Sequence, residues 1–326
     1  MRRLIQYGFY FLIGLPGNLI AQNVIYSETI HASSGLRIRV IGKTENYYWT
    51  VRLQKQKNDR TQISATTELL GFDLFDARLN LLRQNDPYSI AGTAKQWLMT
   101  GKNEMDQVML TVSPKKTRLV CSRLSKEGEK QIRVLDSFPF PADPSGALMV
   151  RSEDRSKILF IAFENTEEMN TRLHAVLFDE NWNTIYHRVI SDSLFSQPYI
   201  QDDEIGFPGE SFDNFPIKLA NDGEWLMAGP SRVSRHFTLF HSCANGIDHQ
   251  FREIMVSPFY KVEDMAMSID NEKQEMSVGL LSRYLNTSLR NVRITNYSIS
   301  QGRFDFDTSY RFNTQHRNAR NKKPES

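Results

Sequence analysis

Apolar residues along this chain fall into short runs cut by polar turns. The clearest example is Lys157–Ile190, KILFIAFENTEEMNTRLHAVLFDENWNTIYHRVI. Lys157–Phe163 is almost wholly apolar, Leu173–Phe178 follows a polar turn, and Thr184–Ile190 follows the tight link Asp179-Glu180-Asn181. Runs of Val, Ile, Leu and Phe of this length, broken by Asn, Asp and Glu, predict three antiparallel strands rather than helices.

The strand, polar turn, strand unit recurs. Its copies are Leu69–Leu82, Arg118–Leu135, Leu173–Ile190, His236–Met255 and Asn291–Phe306. Their turns centre near Asp76, Lys126, Glu180, Asn245 and Gln301, at intervals of 50, 54, 65 and 56 residues. A second turn signal precedes most of them, at Gly42–Asn46, Pro114–Lys116, Ser152–Ser156, Asn221–Gly223 and Asp270–Lys273. Gly, Asp and Asn supply the backbone angles such turns need. Two inner strands and an outer hairpin per period predict an all-β fold, a β-propeller of mostly four-stranded antiparallel blades. Five or six blades fit the length, and the five copies favour five. The second repeat fits worst, because only three strands can be placed in it. Val24–Ile30 (VIYSETI) offers a strand that would close the ring beside the final blade.

Turns such as that in LANDGEWLMAG (Leu219–Gly229) and hairpins such as LHAVLFDENWNTIYH (Leu173–His187) carry a resemblance. Over about residues 35–310 the chain resembles the secreted β-propeller repeat proteins of Gram-negative bacteria. That resemblance lies in pattern rather than in a diagnostic motif. It implies architecture and an exported location, and no activity. There is no Trp-Asp ending per blade, no Gly-Gly kelch pair and no complete sialidase-type Asp box.

Composition agrees with strands. Apolar residues make up 40% of the chain, and Phe (20) and Tyr (12) are plentiful; aromatic residues favour β structure. The N-terminus has the parts of a secretory signal: Arg2 and Arg3, apolar Leu4–Leu15, the breaker Pro16-Gly17, and small Ala21 before Gln22. About a dozen apolar residues falls short of the roughly 20 that a spanning helix requires. Residues 1–21 are therefore expected to be a cleaved signal peptide, giving a periplasmic or extracellular protein without a stable membrane span. Residues 22–310 would form the propeller and 311–326 a basic, disordered tail. Without residues 1–21 the chain has 38 Lys/Arg against 38 Asp/Glu; a near-neutral body without a basic stripe argues against nucleic acid. Cys121 and Cys243 fall in non-adjacent repeats and are expected to stay unpaired.

Chemistry is expected where the outer strand of one blade leads to the inner strand of the next. Those connections are Gln84–Glu104, Ser137–Gly146, Asp192–Phe215 and Ser257–Val262. They share rings and prolines, with Tyr88, Phe138, Phe140, Tyr199, Phe207, Phe212, Phe259 and Tyr260 as candidate contacts for a protein or glycan. The bland alternative is that these rings pack between blades. Asp192–Phe215, the longest connection, adds the carboxylates Asp202, Asp203, Glu204, Glu210 and Asp213. Loops of this length are more often functional than ordinary connections. Such acids suit a solvated loop, calcium, or the acid and base of a glycoside hydrolase or lyase.

His236 and His241 stand at an odd separation on one strand and so point to opposite faces; with His249 they make no metal cluster. His174 and His187 lie on facing strands, as a surface pair would. Trp49, Trp97, Trp182 and Trp225 read as packing. No HExxH, GxSxG, phosphate loop, CxxC or dinucleotide fingerprint occurs. No catalytic residue, metal or cofactor is therefore assigned, and the leading expectation is a non-enzymatic binder of an envelope protein or glycan.

Overall fold

The computed structural model describes residues 36–43, 46–55, 67–101, 104–142, 146–165, 171–191, 205–206, 217–230, 237–255, 260–284 and 289–313. All regular structure among them is β-strand, in five successive sheets. Sheet one runs β1 (Leu36–Lys43), β2 (Tyr47–Lys55), β3 (Thr67–Asp76) and β4 (Leu81–Asn85). Sheet two runs β5 (Thr93–Thr100), β6 (Glu104–Ser113), β7 (Lys116–Ser125) and β8 (Lys130–Phe138). Sheet three runs β9 (Ala147–Arg151), β10 (Lys157–Asn165), β11 (Thr171–Asp179) and β12 (Thr184–Ser191). A two-residue strand, β13 (Ile205–Gly206), precedes sheet four: β14 (Ile217–Leu219), β15 (Trp225–Pro230), β16 (Phe237–Ser242) and β17 (His249–Ile254). Sheet five runs β18 (Tyr260–Asp270), β19 (Glu275–Tyr284), β20 (Leu289–Ser298) and β21 (Arg303–Asn313). The four consecutive strands of each sheet form an antiparallel meander, the blade of a β-propeller with five blades among the described residues, and β13 adds in parallel to sheet two.

Burial on both faces explains the apolar run of sheet three. Ile158, Phe160 and Ala162 point toward sheet two, where Trp97, Val108, Leu119 and Phe138 meet them. Their neighbours Leu159, Ile161 and Phe163 point the other way, onto Ile217, Leu219, Trp225 and Phe240 of sheet four. Because strand side chains alternate faces, one continuous run serves two interfaces. Trp49, Val51 and Phe72 of sheet one meet Leu98, Met105 and Leu124 of sheet two. Leu226, Leu239 and Ile254 of sheet four likewise meet Met276, Val278 and Tyr297 of sheet five.

The sheets converge at their inner edges. Inner strand β14 lies beside both β9 and β18, and β1 lies beside β5. At one end, the first turns of blades 3, 4 and 5 are stitched together. The Asp154 amide donates to Asn221 Oδ1 (3.1 Å), the Asn221 amide to Asn271 Oδ1 (2.9 Å), and Asn271 Nδ2 to Glu153 Oε2 (2.9 Å). Among the described residues no shared apolar cluster joins blade 5 to blade 1. Ile38 and Val40 of β1 are 40% and 60% exposed. Val24–Ile30, expected to close the ring, lies outside the described residues, as do residues 1–21 and the tail beyond Asn313.

One expectation is corrected. Gln84–Glu104 is not simply a connection, because it contains β5, the inner strand that could not be placed in the second repeat. TAKQWLMT was obscured because its first half is polar, although Lys95 is buried along with the whole second half. The Pro114 turn accordingly joins the second and third strands of that blade, and the link equivalent to Gly42–Asn46 falls between Thr100 and Glu104.

Candidate functional site

The meander gives the molecule two unlike ends. First-to-second and third-to-fourth strand turns gather at one end. Blade-to-blade connections gather at the other, with the second-to-third strand links. The turn end is built from short caps. In blade 1, Asp76 Oδ1 accepts the amides of Arg78 and Asn80 (both 2.8 Å). In blade 3, Asp179 Oδ1 accepts those of Asn181 (2.9 Å) and Asn183 (2.8 Å). The bond from the Asn80 side-chain amide to Asp76 Oδ2 (2.8 Å), together with these backbone amides, holds the Asp76 carboxyl below its ordinary range.

The connection end carries most of the candidates, and the structure separates them. Phe138 closes β8 and is fully buried; its ring meets Phe160 of blade 3 at 5.7 Å. Phe140, 7% exposed, lies 4.4 Å from the His174 ring, and its carbonyl accepts the buried Thr117 hydroxyl (2.8 Å). As contacts for a ligand both are corrected, because their faces are already covered by blade 3. Tyr199, Asp202, Asp203, Glu204, Phe207, Glu210, Phe212, Asp213 and Phe259 lie outside the described residues. Tyr260 opens β18, and only its backbone is described.

Tyr88 is different. It sits half-exposed in the connection from blade 1 to blade 2, and one buried side chain fixes its backbone. Gln107 Oε1 accepts the Tyr88 amide (2.9 Å), while Gln107 Nε2 donates to the Tyr88 carbonyl and to Gln96 Oε1 (both 2.9 Å). The Lys130 ammonium stands 5.9 Å from the centre of the Tyr88 ring, within cation–π range. Gln96 links this arrangement to the long connection. Its backbone pairs with Ile205, so that β13 adds in parallel to the inner edge of β5. Sequence reading of Asp192–Phe215 contained no sign of this strand, since two residues have no period.

Between blades 2 and 3 lies a titratable cluster. His187 Nδ1 is 3.2 Å from Asp136 Oδ2, and His174 Nε2 is 2.9 Å from Glu164 Oε2. The two histidine rings are 5.9 Å apart. They pair across the hairpin as expected, but not at the surface: His174 is buried. Its bond to Glu164 requires Nε2 to carry the proton, and Nδ1 has no partner among the described residues. Burial lowers the His174 pKa and outweighs the opposing pull of Glu164. For Asp136, burial alone would raise the pKa, but the bonds from His187 and the Ser137 amide outweigh it and the net shift is downward.

At the turn end, blades 2 and 4 fill matching positions with different chemistry. In blade 2, Asp106 accepts Arg123 Nε (2.8 Å) and the indole N–H of Trp182 from blade 3 (2.8 Å), while Arg123 also reaches Glu104 (3.2 Å). In blade 4, His241 bridges Glu224 (2.9 Å) and the Tyr297 hydroxyl of blade 5 (3.1 Å), with Cys243 alongside. All four tryptophans are buried, in keeping with the packing reading, and both cysteines are free.

No family model and no curated protein matches the chain. Solved structures do, at low identity. The prolyl oligopeptidase B of Galerina marginata, bound to a 35mer substrate, is 10% identical over 79% of this chain and 32% of that one, with a TM-score of 0.39. A Synechocystis apocarotenoid oxygenase mutant is 10% identical over 87% of this chain and 62% of that one, with a TM-score of 0.41. A GH43 β1,3-galactosidase is 8% identical over 72% of this chain and 78% of that one, with a TM-score of 0.31. The chain thus spans about a third of the first and about three-fifths of the second. These likenesses concern strand arrangement only. Among the described residues, no helix is long and apolar enough to cross a membrane.

Proposed function

We propose that this chain is an exported, non-enzymatic β-propeller that binds an envelope protein or a glycan through the surface around Tyr88, in the segment that joins blade 1 to blade 2. The observation that carries the reading is the arrangement of Tyr88. A half-exposed ring, its backbone held on both sides by a buried glutamine, meets a partner without a large ordering cost. Aromatic rings offer flat area to sugars and protein side chains alike. The strand pairing at Ile205–Gly206 supports the same reading, because it ties the longest connection to the strand that carries Gln96. Binding loops are most effective on such rigid supports.

The test is capture from the native envelope, or on a glycan array, by the tagged chain and its Tyr88→Ala variant. The variant is expected to lose at least about tenfold in capture, the loss of a binding hot spot. Its melting temperature should stay within about 2 °C of the parent, as for a surface change in a chain of this size. Undiminished capture would refute the reading. Turnover of a captured glycan would replace it with a hydrolytic one.

A further inference from the structure

We propose that Glu224, His241 and Cys243, at the turn end of blade 4, form a binding site for a zinc-class transition-metal ion. One ligand atom from each of the three lies within 4.8 Å of the others. His241 Nε2 and Glu224 Oε2 are 2.9 Å apart, and zinc between them would require only a few tenths of an ångström of opening, given metal–ligand bonds of about 2 Å. Thiolate, imidazole and carboxylate together suit zinc rather than calcium or magnesium, which prefer oxygen alone. His241 is 2% exposed, whereas Glu224 and Cys243 are half-exposed, so the set has a closed floor and an open mouth.

The other blades show what is unusual here. In the third-to-fourth strand turns, the residues whose carbonyl accepts the amide three positions on are Asp76, Ser125, Asp179 and Ile299 in blades 1, 2, 3 and 5. Asp76, Asp179 and Ser125 use their side-chain oxygens to cap their own turns, Ser125 by accepting the Glu129 amide (3.2 Å). In blade 4 that place belongs to Cys243, and Asn245 does the capping instead, accepting the amides of Ile247 (2.9 Å) and Asp248 (3.2 Å). The thiol is thereby released from the turn. Two residues earlier, blade 2 has Arg123, which neutralises Glu104 as a cation; blade 4 has His241 facing Glu224. Among the described residues, only blade 4 combines three ligating groups at these positions.

The protons balance. Without metal, Nε2 of His241 carries its proton toward Glu224, and Nδ1 accepts from the Tyr297 hydroxyl. When the ion binds Nε2, the imidazole proton moves to Nδ1 and donates to the Tyr297 oxygen, which serves in either direction. The ring stays neutral, and Tyr297 acts as a positioning residue of the kind that metal-bound histidines have. Cys243 binds as thiolate. An ordinary thiol is mostly protonated near pH 7, so the ion displaces its proton. One proton is therefore released per ion bound, and affinity rises with pH.

Titration of the reduced, purified full chain with cobalt(II), followed by zinc competition, tests the site. One cobalt per chain, a thiolate-to-cobalt charge-transfer band and release of about one proton near pH 7 are expected. Cys243→Ser should remove the band and weaken zinc at least about tenfold while preserving the circular dichroism spectrum; Tyr297→Phe should keep the band and weaken zinc about 10- to 100-fold. If Cys243→Ser fails to fold, Glu224→Gln, which can keep its bond to His241, is expected to show the same loss of affinity. Absence of the thiolate band in the parent chain, or its persistence in Cys243→Ser, would overturn the proposal.

Discussion

Blades 2 and 4 are the same meander built to different ends. In blade 2 the turn end is an ion pair locked by its neighbour: Arg123 lies between Glu104 and Asp106, and Trp182 of blade 3 donates to the same Asp106 carboxylate. In blade 4 the corresponding end holds Glu224, His241 and Cys243 around a half-open space. The side chains at matching register differ, and the blade 4 strands are shorter. Backbone pairing in a repeat fold thus leaves such positions free to exchange a stabilising role for a ligating one. Equivalent positions across blades are where function is best sought.

The largest expected effect comes from the locked side. Asp106→Ala removes the acceptor shared by the Trp182 indole and Arg123, which keeps Glu104, and should cost about 3–5 kcal/mol in denaturant melts, the worth of two hydrogen bonds to a charged group. Phe138→Ala, emptying a fully buried ring site between blades 2 and 3, should cost a similar 3–5 kcal/mol. The open side is expected to tolerate change better. His241→Gln should cost about 1–3 kcal/mol, the loss of buried hydrogen bonds without a stranded charge. If His241→Gln were as damaging as Asp106→Ala, the distinction between the two blades would collapse.

Blade 3 adds a pH dependence with a definite sign. His174 has a lowered pKa in the folded state, so the unfolded chain takes up its proton first. Its contribution is present above the ordinary histidine pKa of about 6.5 and is lost as pH falls through the lower folded value. Stability should decline from pH 7 toward pH 5, and His174→Phe should flatten that decline. A decline of equal slope in His174→Phe would assign it to other groups.

Much of the fold was legible because strand periodicity and turn chemistry repeat five times. The five hairpin units match the third and fourth strands of the five blades, and the run at Lys157–Phe163 is continuous because both of its faces are buried. β5 was missed because TAKQ looks like a loop until pairing with β6 buries WLMT. The candidate site was less legible. Phe138, Phe140 and Tyr88 look alike in sequence, each beside a proline. Only the neighbouring blade decides that the first two are covered, while Gln107, nineteen residues beyond Tyr88, fixes the third. The blade 4 cluster was overlooked because its members come from two separate turns and a strand end, with no metal-ligand spacing to connect them.

The smallest change in stability is expected from Tyr88→Ala, below about 1 kcal/mol for a half-exposed side chain. It also bears most directly on the claim that fold and binding surface are separable. Measured together, Tyr88→Ala should lose at least about tenfold in capture of the proposed ligand with its melting temperature unchanged, whereas Phe138→Ala should lower the melting temperature yet still capture below it. Full capture by Tyr88→Ala, or parallel loss of capture and stability in both variants, would contradict the account.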